Sequence, residues 1–284
     1  DMMKIVRILT AACAIGLLAP LAVQAQPVQA TKDPSAVPDY VPRSGQPGKD
    51  VVWVPTQQVL IDRMFQMARL TKDDYLIDLG SGDGRTVISA AKRGVRALGI
   101  EYNPDLVTLS KRTAEAEGVT DKARFVEGDI FETNFSDATV LTLFLLPELN
   151  LKLRPTILNM KPGTRVVSNT FMMDDWEPDE TAVVAENCSS YCRAYHWVIP
   201  AKVAGTWRLG DGELKLAQSF QKLSGTLTVA GKAQPISDAR MKGGEISFMA
   251  GGRSYTGRVD NDRMTGSSEA AGAKLDWQAM RSSS

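Results

Sequence analysis

Between an apolar run, Tyr75–Leu79, and a helical stretch, Arg85–Lys92, the chain reads Asp78-Leu79-Gly80-Ser81-Gly82-Asp83-Gly84-Arg85. Three alternate glycines at such a junction constrain the fold more than any other feature. Glycine reaches positive φ and leaves the backbone bare, so a strand can turn sharply into a helix and a ligand can lie against the loop. In open α/β sheets ligands sit beyond the carboxyl ends of the strands, where a loop of this kind forms the floor of a site.

The surrounding sequence keeps the same grammar. Val59, Leu60, Met64, Met67 and Leu70 recur at helical spacing from Thr56 onward. Apolar runs at 97–100, 124–127, 139–146 and 165–168 then alternate with helical patterns at 104–117 and 149–158. Alternation at this spacing predicts βαβ units and a mostly parallel sheet covered on both faces. Runs at 181–186 and 195–199 predict an antiparallel hairpin at its edge.

The loop's acidic character narrows its guest. A dinucleotide fingerprint is G-x-G-x-x-G and a nucleotide-triphosphate loop ends in Gly-Lys-Ser/Thr. Here the glycines run one residue tighter, and Asp78 and Asp83 would repel a phosphate. A cationic or zwitterionic ligand suits them better. Glu101 lies 23 residues beyond Asp78, at the end of the second strand, where a carboxylate accepts bonds from ribose hydroxyls. Asp129, in Gly128-Asp129-Ile130-Phe131, follows the third strand and is placed to accept a bond from an exocyclic adenine amine, with Ile130 and Tyr102 on the ring faces. Each has a plainer explanation: Asp129 caps a turn, and Glu101 with Asn103-Pro104 starts a helix. On three successive strand ends, the glycine loop included, they point together to a nucleoside.

Asp78 to Gly84, Glu101, Asp129 and the Met160-Lys161-Pro162-Gly163 turn resemble the motif set of class I S-adenosylmethionine-dependent methyltransferases. The resemblance covers roughly 50–200 and implies a Rossmann-like, mostly parallel seven-stranded sheet with S-adenosyl-L-methionine at its carboxyl edge. It implies methyl transfer to a nucleophile on a protein side chain or small molecule. By position, Gly80, Gly82 and Gly84 would approach the methionine part, and Glu101 and Asp129 would take ribose and adenine; Thr56, Asp78, Ser81, Asp83, Tyr102, Asn103, Gly128 and Ile130 complete the expected cofactor-binding set. Trp53-Val54-Pro55-Thr56 and the Gly-Ser-Gly-Asp-Gly-Arg wording are similar to a smaller group, the protein-lysine methyltransferases related to the ATP-synthase c-subunit enzyme. That likeness implies a segment around Thr56 closing over the cofactor. An adenosyl-binding protein without turnover and an NAD(P)-dependent oxidoreductase are the competing readings; the tight glycine spacing disfavours the second.

The rest bears on the acceptor. The fourth strand ends Phe144-Leu145-Leu146-Pro147-Glu148, without the Asn/Asp-Pro-Pro-Tyr/Phe box that clamps a flipped base. With 33 basic and 33 acidic residues the chain is neutral, so nucleic acid is not an expected partner. Glu148 and the run Asp174-Asp175-Trp176-Glu177-Pro178-Asp179 would line an acceptor mouth or form a solvated loop anchored by Trp176. One histidine, His196, excludes a multi-histidine metal site and reads as structural between Tyr195 and Trp197.

Lys4, Arg7, an apolar run over 8–23 and Val23-Gln24-Ala25 form the pattern of a secretory signal peptide, predicted for residues 1–25. Uncleaved, it would be the chain's membrane tie. The expected location is periplasmic or secreted, where Cys188 and Cys192 would close a small disulfide loop, with two free thiols as the alternative. Residues 26–52, with five prolines, read as an extended arm, and 53–200 as the methyltransferase domain. From 201 to 284 turn glycines and alternating runs at 207–209, 213–216, 225–229, 245–248, 255–259 and 274–278 predict a small antiparallel β-meander, a lipocalin-like half-barrel. Its 12 basic and 8 acidic residues give +4, against −5 for 26–200.

Overall fold

The structure, a computed structural model, describes residues 40–282. The expected signal peptide and the arm up to residue 39 lie outside the described residues.

The first eleven elements are α1 (Gln58–Met67), β1 (Tyr75–Leu79), α2 (Arg85–Lys92), β2 (Arg96–Glu101), α3 (Pro104–Ala116), β3 (Ala123–Glu127), β4 (Val140–Leu143), α4 (Pro147–Leu158), β5 (Arg165–Asn169), β6 (Glu180–Val183) and β7 (Arg193–Val198). They build a seven-stranded sheet in the order β3-β2-β1-β4-β5-β7-β6. Parallel pairing joins β3, β2, β1, β4 and β5, and β7 runs antiparallel between β5 and β6. The expected hairpin is present, with β6 at the edge and β7 inside it. All four residues of β4 and four of the five in β1 are buried, as strands covered by helices on both faces require. The strand order reverses between β1 and β4, and this switch point opens a crevice above their carboxyl ends.

Local chemistry sets the helix starts that frame the crevice. Gly84, at φ 80°, is the residue before α2. Asn103 caps α3 by accepting a bond from the Asp105 amide at 2.9 Å, and Pro104 takes the first helical position, where a missing N–H costs nothing. On α1 the buried side chains Leu60, Ile61, Met64, Phe65 and Met67 give it one apolar face, packed on β5 and β7.

Nine further strands follow: β8 (Gly205–Leu209), β9 (Gly212–Ser219), β10 (Lys222–Val229), β11 (Lys232–Pro235), β12 (Ser237–Lys242), β13 (Glu245–Ala250), β14 (Arg253–Asp260), β15 (Arg263–Ala270) and β16 (Ala273–Arg281). All pair antiparallel, and β11 and β12 both lie along β10, separated by Ile236. Pairings of β9 with β10 and of β16 with β8 close the ring. The expected half-barrel is therefore a closed barrel with more strands than predicted, and closure leaves the short strand β11, paired with β10 alone, as an edge. Its interior is filled by Trp207, Leu214, Leu227, Met241, Ile246, Phe248, Met264 and Trp277.

The barrel is seated on the sheet domain through Trp176, which is fully buried and stacks on Phe220 with ring centres 5.7 Å apart. The Trp176 indole donates to Gln221 Oε1 at 3.0 Å, and Gln221 Nε2 donates to the Glu177 carbonyl at 2.8 Å. Lys222 pairs with Glu177 and Arg240 with Asp179.

Candidate active site

Twelve of the thirteen residues singled out in the sequence line one cavity at the carboxyl edge: Thr56, Asp78, Gly80, Ser81, Gly82, Asp83, Glu101, Tyr102, Asn103, Gly128, Asp129 and Ile130. Gly84 does not. A Cβ there would meet Phe125 and Ser110 Oγ at 2.7 Å, so its bareness serves close packing beneath the loop rather than contact with a ligand.

The loop is pinned from below. The amides of Gly80 and Ser81 donate to the Ile100 carbonyl at 2.9 and 3.0 Å. Gly80 and Gly82 hold φ of 76° and 56°, values that would strain any other residue. The Ser81 hydroxyl is buried without a partner, lying over Gly99, where a Cβ would approach it to 2.5 Å. Gly82 donates its amide to Glu101 Oε2 at 2.8 Å, and the Asn103 amide donates to Glu101 Oε1 at 2.9 Å. Glu101 is thus fixed as a two-oxygen acceptor at the end of β2, with lone pairs left for a ligand's hydroxyls.

Asp78 is buried and accepts from the Thr142 hydroxyl at 2.6 Å. Burial pushes its carboxyl up to about 7; the Thr142 bond opposes this, and the neighbouring Glu101 and Asp83 charges add to it. Asp129 Oδ1 accepts from the Phe131 amide at 2.9 Å, and Oδ2 pairs with Lys49 Nζ at 3.0 Å. The Phe131 amide, reinforced by the Lys49 ammonium, holds its carboxyl below the usual carboxylate range. Its carbonyl also accepts from Thr133, so the turn-capping role operates beside the cavity-lining one.

Sequence reading missed the part played by residues 46–52 of the arm, while the segment around Thr56, expected to close over the cofactor, lines the same cavity. Gln46 and Trp53 form an antiparallel bridge, and residues 46–56 line the cavity beside the glycine loop. Trp53 lies so close over Gly82 that a Cβ there would collide with the indole nitrogen. Lys49 reaches between the Tyr102 and Phe131 rings, 5.3 and 5.9 Å from their centres. Arg85 grips Asp83 through Nε and Nη2 and extends Nη1 to the Thr56 carbonyl at 3.3 Å, tying loop to arm. The five prolines had suggested an extended segment, and no local periodicity reveals such long-range contacts.

Other expected roles fall elsewhere. Trp176, Glu177 and Asp179 face the barrel, and Asp175 pairs with Arg154, so most of the acidic run serves packing rather than an acceptor mouth. His196 sits on β7 beside a separate cleft shared with the barrel. Burial, with the charges of Arg165, Lys242 and Arg69, pushes it down to about 4, so it is neutral and structural. Met64 lines the cavity, and Met67 and Met173 are core. Cys188 and Cys192 form a disulfide.

The donor set tests which ligand fits. The carboxylates of Asp50, Asp78, Asp83, Glu101 and Asp129 line the cavity, and its lysine and arginine, Lys49 and Arg85, are both paired with carboxylates. With both cations already paired and five carboxylates present, the lining disfavours a pyrophosphate and with it a nicotinamide cofactor. A ligand with a positively charged end, a diol and a flat amine-bearing ring matches: S-adenosylmethionine carries all three. Asp78, Asp83 and the loop would face the charged end, Glu101 the ribose, and Ile130 with Asp129 the adenine.

Comparison with known proteins agrees. The sequence pattern of the ANTKMT methyltransferase domain matches residues 78–180. A protein-lysine N-methyltransferase of Saccharolobus islandicus is 41% identical over 48% of this chain and 86% of its own. The human lysine N-methyltransferase named for the ATP-synthase c-subunit is 32% identical over 52% of this chain and 69% of its own. A crystal structure of an RNA methyltransferase from Salinibacter ruber with S-adenosyl-L-homocysteine superimposes at a TM-score of 0.50 and 45% identity, over 53% of this chain and 96% of that one. With relatives matched over most of their length and a carboxylate-lined cavity at the carboxyl edge of the sheet, this chain is a class I S-adenosylmethionine-dependent methyltransferase and belongs to the ANTKMT methyltransferase-domain family.

Proposed function

We propose that the protein methylates the ε-amine of lysine in a protein acceptor, outside the cytoplasm. The observation that carries this reading is the composition of the cavity: acidic carboxylates together with the apolar side chains of Phe144, Leu145 and Leu149. Two relatives matched over most of their length are named for lysine methylation.

The bound cofactor supplies an electrophilic methyl group on a positively charged sulfur. The chain supplies position and environment. Glu101, fixed by two amides, orients the ribose and with it the rest of the ligand. Asp78 and Asp83 provide negative charge on the side where positive charge must be held. A lysine attacks only as the neutral amine, and the apolar side chains favour loss of its proton by penalising the ammonium form. The amine lone pair forms the new N–C bond as the C–S bond breaks toward sulfur, and the extra proton on nitrogen leaves to solvent.

The solved relative named as an RNA methyltransferase raises a nucleic-acid acceptor as the rival. The net −5 of residues 26–200 argues against it, because a polyanion would be repelled and a lysine-bearing segment drawn in. Extracytoplasmic location is supported by the amino-terminal targeting pattern and by the Cys188–Cys192 disulfide. The test is transfer of labelled methyl from S-adenosylmethionine to poly-L-lysine, to envelope protein and to total RNA. Label in acid-stable N-methyl-lysine is the expected result; label confined to RNA overturns the reading.

A further inference from the structure

Three rings meet beside the cavity. Phe144 follows β4 and lines the cofactor site, Phe171 follows β5, and Tyr191 comes from the loop joining β6 to β7. Phe144 stands 5.2 Å from Tyr191, edge to face, and 6.3 Å from Phe171; Phe171 and Tyr191 are 6.5 Å apart. A cluster that only filled the core would be buried. Tyr191 is 44% exposed, and Leu146, two residues beyond Phe144, is exposed as well.

The backbone works to keep these rings where they are. Tyr191 sits at φ 54° and Thr170, which precedes Phe171, at φ 63°; bulky and β-branched residues occupy that region only when their surroundings impose it. The impositions are visible. Cys188 and Cys192 close the loop around Tyr191 covalently. Gln57, the residue before α1 and next to Thr56, donates Nε2 to Ser189 Oγ and the Ser190 carbonyl at 3.1 and 2.9 Å, and accepts from the Ser189 amide at 3.2 Å. The Thr170 amide donates to the Arg193 carbonyl at 2.7 Å, and Ser168 Oγ and Asn150 Nδ2 both hold the Phe171 carbonyl. The loop is thereby tied to the cavity wall on one side and to the end of β5 on the other.

We propose that Phe144, Phe171 and Tyr191 form the sleeve that grips the acceptor's alkylammonium side chain, and that the disulfide-closed loop 188–192 sets its width by fixing Tyr191 as the outer wall. This rests on the lysine reading above. Aromatic rings suit such a guest twice over: they pack on its methylenes, and their faces attract an ammonium before its proton is lost. Tyr191 is then a specificity-determining residue. Cys188 and Cys192 are positioning residues that act through it.

The full chain, saturated with S-adenosylhomocysteine, is titrated with Nα-acetyl-L-lysine methylamide and with its norleucine counterpart, followed by NMR. Tyr191→Ala is expected to weaken the lysine probe by about tenfold, Tyr191→Phe to stay within about threefold, and paired Cys188→Ser, Cys192→Ser replacement to weaken it several-fold. S-adenosylhomocysteine affinity, measured alongside, should be unchanged in all three. In the wild type, nuclear Overhauser contacts from the probe's methylenes to the Tyr191 ring are expected, a readout that needs no variant to fold. Equal probe affinity in wild type and Tyr191→Ala, or contacts only to other rings, overturns the sleeve while leaving lysine methylation standing. A wild type that binds S-adenosylhomocysteine but neither lysine nor norleucine probe overturns both, and equal binding of the two probes removes the lysine preference alone.

Discussion

At the scale of single residues, charge placement decides what the cavity holds. Asp78 is a buried carboxyl pushed up to about 7, so the free protein carries it partly protonated at neutral pH. A cation bound beside it favours the ionised form. Binding of S-adenosylmethionine should therefore release a proton and tighten as pH rises from 6 to 8, which calorimetry in buffers of different ionisation enthalpy reads directly. Stability runs the other way. Because folding raises this pKa above the usual carboxylate value, the group favours the folded state fully below pH ~4 and loses that contribution as pH rises through about 7. Asp78→Asn keeps a partner for Thr142 and removes the charge. It should stabilise the free protein near pH 8 by roughly 1–3 kcal/mol and weaken cofactor binding, measured by unfolding and titration together. A variant that is no more stable at pH 8 than the wild type would contradict the burial argument. That Glu101 and Asp129 line the cavity was legible in the sequence because their positions follow from strand ends alone. Lys49 and Arg85 were not, since their roles depend on a loop folding back across tens of residues.

Elements were legible where periodicity and punctuation agreed. β1 and α2 fall where the sequence placed them, and the alternation through β5 gave the parallel sheet. The strands that escaped notice, β11, β12 and β15, are polar; β11 buries no residue, within β12 only Met241 is buried, and within β15 only Met264 and Ser268. Barrel closure depends on pairing between β16 and β8, distant in sequence, which alternation cannot report. The arm is the other lesson: proline content described its backbone but not its destination over the glycine loop. Its covering role gives a prediction. Trp53→Ala should uncover Gly82 and weaken S-adenosylhomocysteine binding by about 1–2 kcal/mol, with little change in melting temperature, since the residue packs on a loop rather than in the main core. Unchanged affinity would show that Trp53 is not part of the site.

Across the whole molecule, two cores meet at one aromatic stack. Trp176 is fully buried between Trp197 of the sheet domain and Phe220 of the barrel. Trp176→Ala should cost about 3–5 kcal/mol and, because this side chain belongs to the sheet-domain core as well as to the joint, lower the unfolding of the sheet domain away from that of the barrel and give two transitions. Scanning calorimetry would read this, and a single transition at the wild-type temperature would contradict it. The barrel's interior is packed with side chains, so its contribution lies in its outer surface and in the joint. What the molecule does rests on the nucleoside-binding edge of the sheet, and one measurement addresses that edge most directly. Wild type and Glu101→Ala are titrated calorimetrically with S-adenosylmethionine, S-adenosylhomocysteine and NAD. The account predicts binding of both adenosyl compounds, none of NAD, and a loss of about 1.5–3 kcal/mol, roughly ten- to a hundredfold, in the variant. Binding of NAD in their place, or adenosyl binding indifferent to Glu101, would contradict it.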